Sequence, residues 1–311
     1  MLDVCLLGTG GMMPLPNRFL TSLMCRLNGK MLVIDCGEAT QISIALLGWG
    51  FKSIDVICFT HFHADHVSGL PGLLLAMSNA GREDDVTLIG PAGLVNVVKG
   101  LTVIAPRLPF NVNCIEITSD KFPEISENGI LVADFKITAA KAKHQIPCLS
   151  YRLDVMRKGK FDADKAKSLN IPIKLWNEIQ KNGHATFDGM QYFDHMVMGE
   201  PRKGLSVAYC TDSRPAKFLP GFVNGVDLFI CEGLYGDNDK KEKAAEHGHM
   251  IFSEAAEIAR AGSVKELWLT HFSPAMTNPK EFLKNARDIF PNSYAGYDRM
   301  CKTLVFEDEN E

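Results

Sequence analysis

The 311-residue sequence predicts an α/β fold built in layers. Short apolar runs of strand length recur along the chain, among them DVCLLG, IDVICF, LSVAYC and VDLFIC. Segments of helical character separate some of them. Histidines and aspartates stand directly after several runs, and strand C-termini of layered α/β folds converge on one rim.

Taken in order, residues 2–7 read as a buried strand ended by the glycine-rich turn GTGG at 8–11. LMCRL-NG-KMLVID, residues 23–35, reads as a hairpin, because Asn28-Gly29 suits a type I′ turn. A strand at 54–59 ends at THFHADH, after which VSGLPGLLLAM begins helical. Further strands are expected at 86–90, 135–141, 205–210 and 226–231. Ser253 is placed to cap a helix running through Ala261, with Gly262 as its stop, before a strand at 265–270. Residues 151 to about 204 differ in character. They carry KGK, KAK, aromatics and turn residues with little apolar periodicity, and 10 Lys and Arg against 7 Asp and Glu. A solvated insertion and a binding surface fit that composition equally well. We take the chain as a single domain carrying this arm-like insertion; its terminal EDENE reads as frayed.

Composition narrows the class. A net charge of −4 excludes a generally basic nucleic-acid binder, though not a local basic surface. No apolar run reaches the ~18 residues of a membrane-spanning helix. No basic residue precedes the apolar run at the N-terminus, so a secretory signal is not expected. Nine cysteines, an odd number without a CxxC pair, read as reduced and mostly buried. The expected compartment is the cytoplasm.

THFHADH concentrates four ligand-type side chains. In an extended segment His61 and His63 point to one side and can grip one ion. Asp65 and His66 lie where the chain turns helical and can face a second. Other strand ends add His144 after FKITAAKAK, Asp212 in TDSRP and His271 in THFSP. Seven ligands result, and the two oxygens of Asp212 make it the natural bridge. Imidazole and carboxylate together suit zinc, with manganese or iron as alternatives.

THFHADH is an instance of the HxHxDH motif and resembles the metallo-β-lactamase superfamily. LLGTGG, IDCGEATQ, GLPGLL, AYCTDSRP and ELWLTHFSP further resemble the ribonuclease Z subfamily, which processes tRNA 3′ ends. The resemblance spans nearly the whole chain. It implies a four-layer αββα sandwich and two zinc ions. His61, His63 and His144 would hold one ion and Asp65, His66 and His271 the other, with Asp212 shared. It also implies a homodimer acting on precursor tRNA, with Asp65 as proton acceptor.

For the proton to the leaving oxygen, the resemblance points to Glu232 and a histidine of EHGHM. His247 and His249 compete, and alignment on AAEIA selects His249. Three departures stand out. CEGL replaces the family's HEAT, and HMI its HST. IPIKLW stands where the arm's Gly-Pro tip is expected. Arg18 is present, but Phe19 occupies the place of the family's asparagine. Arg18 near the cleavage site and Lys158, Lys160, Lys165 and Lys167 of the arm are the expected RNA contacts. The alternatives are a phosphodiesterase or other hydrolase of a small molecule, and a catalytically silent RNA-binding protein.

Overall fold

The structure, a computed structural model, describes residues 1–118 and 129–307. The chain divides into two compact units: Met1–Asp154 with Ser206–Val305, and Val155–Leu205 with the chain end from Phe306.

The first unit is built on two seven-stranded sheets. One contains β1 (Leu2–Gly8), β2 (Ser22–Leu27), β3 (Lys30–Ile34), β4 (Ile54–Cys58), β5 (Val86–Pro91) and β6 (Val112–Ile117). Its order is β16-β1-β2-β3-β4-β5-β6, with β16 at Met300–Leu304. The β2–β3 hairpin turns on Asn28 and Gly29, with φ of 52° and 83°, the two left-handed residues a type I′ turn requires. From β3 to β6 the strands run parallel. The second sheet has the order β15-β14-β13-β12-β9-β8-β7. Its strands are β7 (Ile130–Val132), β8 (Phe135–Lys141), β9 (Leu149–Arg157), β12 (Arg202–Cys210), β13 (Leu228–Glu232), β14 (Leu267–Thr270) and β15 (Ser293–Ala295). Here β12 to β15 are parallel.

Both faces of each sheet are buried, as parallel sheets require. Met24, Val33, Ile57 and Leu88 pack with Ile44, Leu70, Leu74 and Val98 of the helices Thr40–Leu47, Leu70–Asn79 and Leu94–Leu101. Phe229, Cys231, Leu267 and Leu269 pack with Phe252, Ala255, Ala256 and Ala259 of the helix Phe252–Ala261. Alternate strand residues, such as Leu23, Leu32 and Ile34 in the first sheet and Tyr209, Ile230 and Trp268 in the second, are equally buried and point the other way. Tyr151 of β9 donates from Oη to the Phe59 carbonyl at 2.7 Å, and Leu149 N–H donates to the Thr60 carbonyl, tying the sheets together. The result is the four-layer αββα sandwich expected from the resemblance.

The helix Phe252–Ala261 has Ile251 rather than Ser253 as its N-cap; Glu254 accepts from the Ile251 N–H and closes the first turn. Gly262 follows it at φ −84°, an ordinary backbone angle. Residues 308–311 of the expected frayed end lie outside the described residues.

The second unit is a folded module of its own, contrary to the weak periodicity read from its sequence. It holds the helices Ala163–Ser168 and Ile173–Asn182 and the hairpin β10 (His184–Phe187)–β11 (Met190–Phe193). Asp162 caps the first helix by accepting from the Lys165 N–H at 2.8 Å. Ala166, Ile171, Leu175, Ile179, Tyr192 and Val197 form a small core.

Candidate metal centre and active site

The rim where the strands end gathers the ligand-type side chains. Donor atoms of His61, His63, His144 and Asp212 all lie within 4.8 Å of one another, and so do those of Asp65, His66 and His271. His61 Nε2 is 3.0 Å from His63 Nδ1, and His144 Nε2 is 3.5 Å from the same atom. His66 Nε2 is 3.3 Å from His271 Nε2. Asp212 stands between the groups and divides its oxygens. Oδ1 faces His66 at 3.3 Å and His271 at 3.2 Å, while Oδ2 faces His61 at 3.7 Å and His144 at 3.9 Å.

Backbone conformation aims these groups. Asp35 follows β3, Asp212 follows β12 and His271 follows β14, and all three have left-handed φ, at 61°, 50° and 58°. Non-glycine residues rarely adopt that region, so the surrounding fold must hold them there. Two glycines leave room at close approaches. A Cβ on Gly11, in the GTGG turn, would come within 2.7 Å of the His271 ring. One on Gly37 would stand 2.0 Å from the Asp65 carbonyl oxygen.

Asp35 is a site residue that sequence reasoning missed. It is fully buried and accepts from Thr60 N–H at 2.8 Å, from Thr60 Oγ1 at 2.9 Å and from His66 Nδ1 at 2.8 Å. Thr60 Oγ1 in turn lies 3.0 Å from His61 Nδ1. One carboxylate thereby orients His66 directly and His61 through Thr60, leaving both Nε2 atoms towards the cluster. The Met12 N–H donates to Asp65 Oδ2 at 2.7 Å and fixes that carboxylate too. A lone aspartate after a strand, here in IDCGE, carries no such signal by itself.

The donor set fits a cation. Asp212 Oδ1 is buried and has no hydrogen-bond donor among the described residues, a cost that a bound cation relieves. Burial, helped by the charge on His66, drives the His61 imidazolium down to about 2, so its lone pair is free at neutral pH. Burial also opposes charge on His66, but Asp212 and Asp35 overcome it and hold His66 up at about 10. A proton there stands where a metal would otherwise balance the carboxylates. Asp212 itself is held well below the usual carboxylate range: burial opposes its charge, and His271, His66 and His61 outweigh that.

Beside this cluster, Glu232 ends β13 fully buried. It accepts from Ser213 N–H at 2.5 Å, from Met250 N–H at 3.1 Å and from His249 Nδ1 at 3.1 Å. Burial would lower the His249 imidazolium, yet the Glu232 carboxylate raises it to about 9. Nδ1 is engaged by the carboxylate, which leaves Nε2 for a reacting group. His247 lines the same cleft but is exposed and, among the described residues, has no carboxylate partner. Arg214, also missed from the sequence, forms a two-pronged pair with Glu254 at 2.6 and 2.8 Å and donates to the His249 carbonyl. It holds the main chain that carries the imidazole. A cleft of about 440 Å³ opens here, lined by His63, His144 and His249 on one side and by Met12, Leu234 and Tyr235 among others.

Arg18 is engaged differently from a free RNA contact. Its guanidinium donates to the carbonyls of Met276 at 2.9 Å, Thr277 at 3.0 Å and Ser273 at 3.4 Å, pinning the loop after His271. In the second unit Lys158, Lys160, Lys165 and Lys167 are exposed. Lys158 pairs with Asp194 at 2.7 Å and Lys167 with Asp164 at 3.2 Å.

Solved structures share this architecture. The metallo-β-lactamase-fold protein YhfI from Bacillus subtilis superposes with a TM-score of 0.69 at 19% identity, covering 97% of this chain and 100% of that one. The short form of human tRNase Z gives 0.70 at 23% identity, covering 98% and 100%. Fold and site together define a metal-dependent hydrolase of the metallo-β-lactamase class. A family model described as anti-Pycsar protein Apyc1 matches residues 2–171. The ribonuclease Z of Clostridium acetobutylicum is 52% identical over 307 residues, 99% of each chain. The chain belongs to the ribonuclease Z family of endoribonucleases. Among the described residues no helix is long and apolar enough to cross a membrane.

Proposed function

We propose that the protein is a zinc-dependent endoribonuclease that removes 3′ trailers from precursor tRNA through a two-metal site. The observation that carries the reading is the division of the Asp212 oxygens between two ligand groups, with His249 and Glu232 alongside. His61, His63 and His144 would hold one ion, Asp65, His66 and His271 the other, and Asp212 both. Imidazole and carboxylate donors suit zinc, with manganese or iron as alternatives. When bound, two such ions lower the pKa of a water towards neutrality and offset charge on a phosphodiester.

The chain's own residues supply the rest. Asp65, anchored by the Met12 N–H, takes the proton of the attacking water and keeps its lone pair directed at phosphorus. His249, charged through Glu232, protonates the leaving oxygen from Nε2. Arg214 and Glu254 keep that imidazole in place. Exposed lysines of the second unit bind tRNA phosphates, for which their surface ion pairs are weak competitors.

The working form we propose is a cytoplasmic homodimer. Ile42, Leu46, Leu75, Val95, Val103 and Ile104 are exposed, and their segments, 40–47, 70–79 and 94–104, pack side by side. Such a surface suits a second copy.

A second reading, a hydrolase of a small phosphodiester, draws on two observations. The cleft has the size of a small-molecule site, and the matching family model describes a protein other than a ribonuclease. Offering the purified protein a precursor tRNA with a 3′ trailer and a small aryl phosphodiester separates the readings. Trailer removal next to the discriminator base supports the first. Activity on the small ester alone overturns it.

A further inference from the structure

A larger hollow lies outside the cleft. It measures about 630 Å³ and is lined by Lys280, Lys284, Arg287, Tyr294 and Tyr297 among others. A second hollow of about 170 Å³ shares Lys280, Ala295 and Tyr297 with it and reaches Arg18 and Phe272. Phe272 is the residue after His271. The two hollows adjoin through these shared residues and form a groove that runs from against Phe272 out across the helical turn and helix of residues 279–287.

The groove's chemistry is specific. Lys280, Lys284 and Arg287 recur at i, i+4 and i+7, the spacing of a single helical face. Lys280 has no ion pair among the described residues, and Lys284 has only the exposed Asp288 one turn away. The one acid lining the inner hollow, Asp298, is consumed within the fold, accepting from Phe19 N–H at 2.6 Å and from Thr9 Oγ1 at 3.0 Å. Tyr297 is 59% exposed and Tyr294 37%, an unusual outlay of aromatic surface on one strip. The Arg287 guanidinium lies over the Tyr294 ring at 5.6 Å, which stiffens that end. Cations along one line with exposed aromatic rings beside them are the features that bind unpaired nucleic acid, through phosphates and base stacking respectively.

We propose that this groove seats the unpaired trailer strand of the RNA substrate, phosphates on Lys280 and Lys284 and a base on Tyr297. The proposal rests on the endoribonuclease reading and adds the part of the substrate that this surface recognises. It also gives Arg18 a purpose: by pinning the carbonyls of Met276 and Thr277 it fixes one wall of the inner hollow.

The test uses the full-length, metal-loaded protein, the Lys280→Ala/Lys284→Ala double variant and Tyr297→Ala. All three side chains are exposed, so folding is unaffected. Precursor tRNAs carry either a long unpaired trailer or a single trailing nucleotide. On the long trailer, the double variant should raise KM about tenfold with kcat unchanged and flatten the salt slope by about two. Tyr297→Ala should raise KM roughly fivefold or more. On the single-nucleotide trailer all three proteins should agree. Unchanged KM on the long trailer overturns the proposal. So does an equal loss on both substrates, which would place the body of the tRNA in the groove. Should the parent fail to cleave either precursor, the endoribonuclease reading falls, and anisotropy with a labelled single-stranded oligoribonucleotide decides the groove separately. Salt-sensitive binding by the parent, weakened in both variants, sustains it; equal binding by all three overturns it.

Discussion

The strand-end cluster and the module at 155–205 hold their polar groups in opposite ways. At the cluster, buried partners fix several of the side chains. His66 is buried between Asp35 and Asp212, and Asp65 is held by a main-chain amide. In the module, Lys158 reaches the half-buried Asp194 and Lys167 the exposed Asp164 through long flexible stems. The first arrangement suits chemistry that needs atoms placed before the substrate arrives. The second suits a backbone that can be gripped in several registers, where charge matters more than position. Substitutions should therefore act steeply and locally in the cluster, and gradually in the module.

The sharpest break should come from Asp212→Ala. It removes an oxygen from both ligand groups, so metal content should fall at both and hydrolysis should vanish. Two tightly held ions per chain in this variant, measured by elemental analysis, would contradict the bridging assignment. Next, His249→Ala should slow precursor cleavage roughly 10²–10⁴-fold with metal content intact. The loss should shrink on an aryl phosphodiester, whose leaving group needs no proton; equal losses would give His249 another role. His247→Ala should leave both rates near the parent's. Asp35→Asn keeps the shape but removes the charge and turns one of the two acceptor oxygens that orient the imidazoles into a donor. It should weaken metal binding about 10–100-fold, read by chelator competition.

Effects in the module should be smaller. Val155 and Gly204 already approach closely, a Gly204 Cβ standing 2.1 Å from the Val155 carbonyl oxygen, so a short Gly-Ser turn can close the chain there. That deletion should raise KM for precursor tRNA roughly tenfold or more and leave small-ester hydrolysis within a few-fold. Processing as good as the parent's would move the small-molecule reading forward. Smallest of all, Lys165→Ala should cut the salt slope of tRNA binding by about one and change kcat little.

Legibility in the sequence follows the same divide. Strands that end in a functional turn announce themselves: the run 135–141 predicts a strand and Phe135–Lys141 is one, and the Asn28-Gly29 hairpin follows from backbone sterics alone. The cluster is readable because histidines packed this closely with an aspartate seldom serve any purpose but metal ligation. Asp35 is not, since its role exists only once Thr60 and His66 are folded against it. The module misleads because its helix stripe is thin. Ile171, Leu175 and Ile179 recur every four residues, but lysines, a glutamate and turn residues dominate the composition around them. Strand β6 escapes for a related reason: as an edge strand it is only half-buried and carries Asn113 and Glu116 in its run.

Asp35 has one more consequence. By steering His66 directly and His61 through Thr60, it links the two ligand groups through one rigid acceptor. An ion that orders one imidazole acts on the other through this shared acceptor, and linkage makes that help reciprocal. Loading of the first ion should lower the free-energy cost of the second. Apo protein titrated with zinc should pass from empty to fully charged with a Hill coefficient above one, the half-filled species being scarce, and Asp35→Asn should uncouple the two steps.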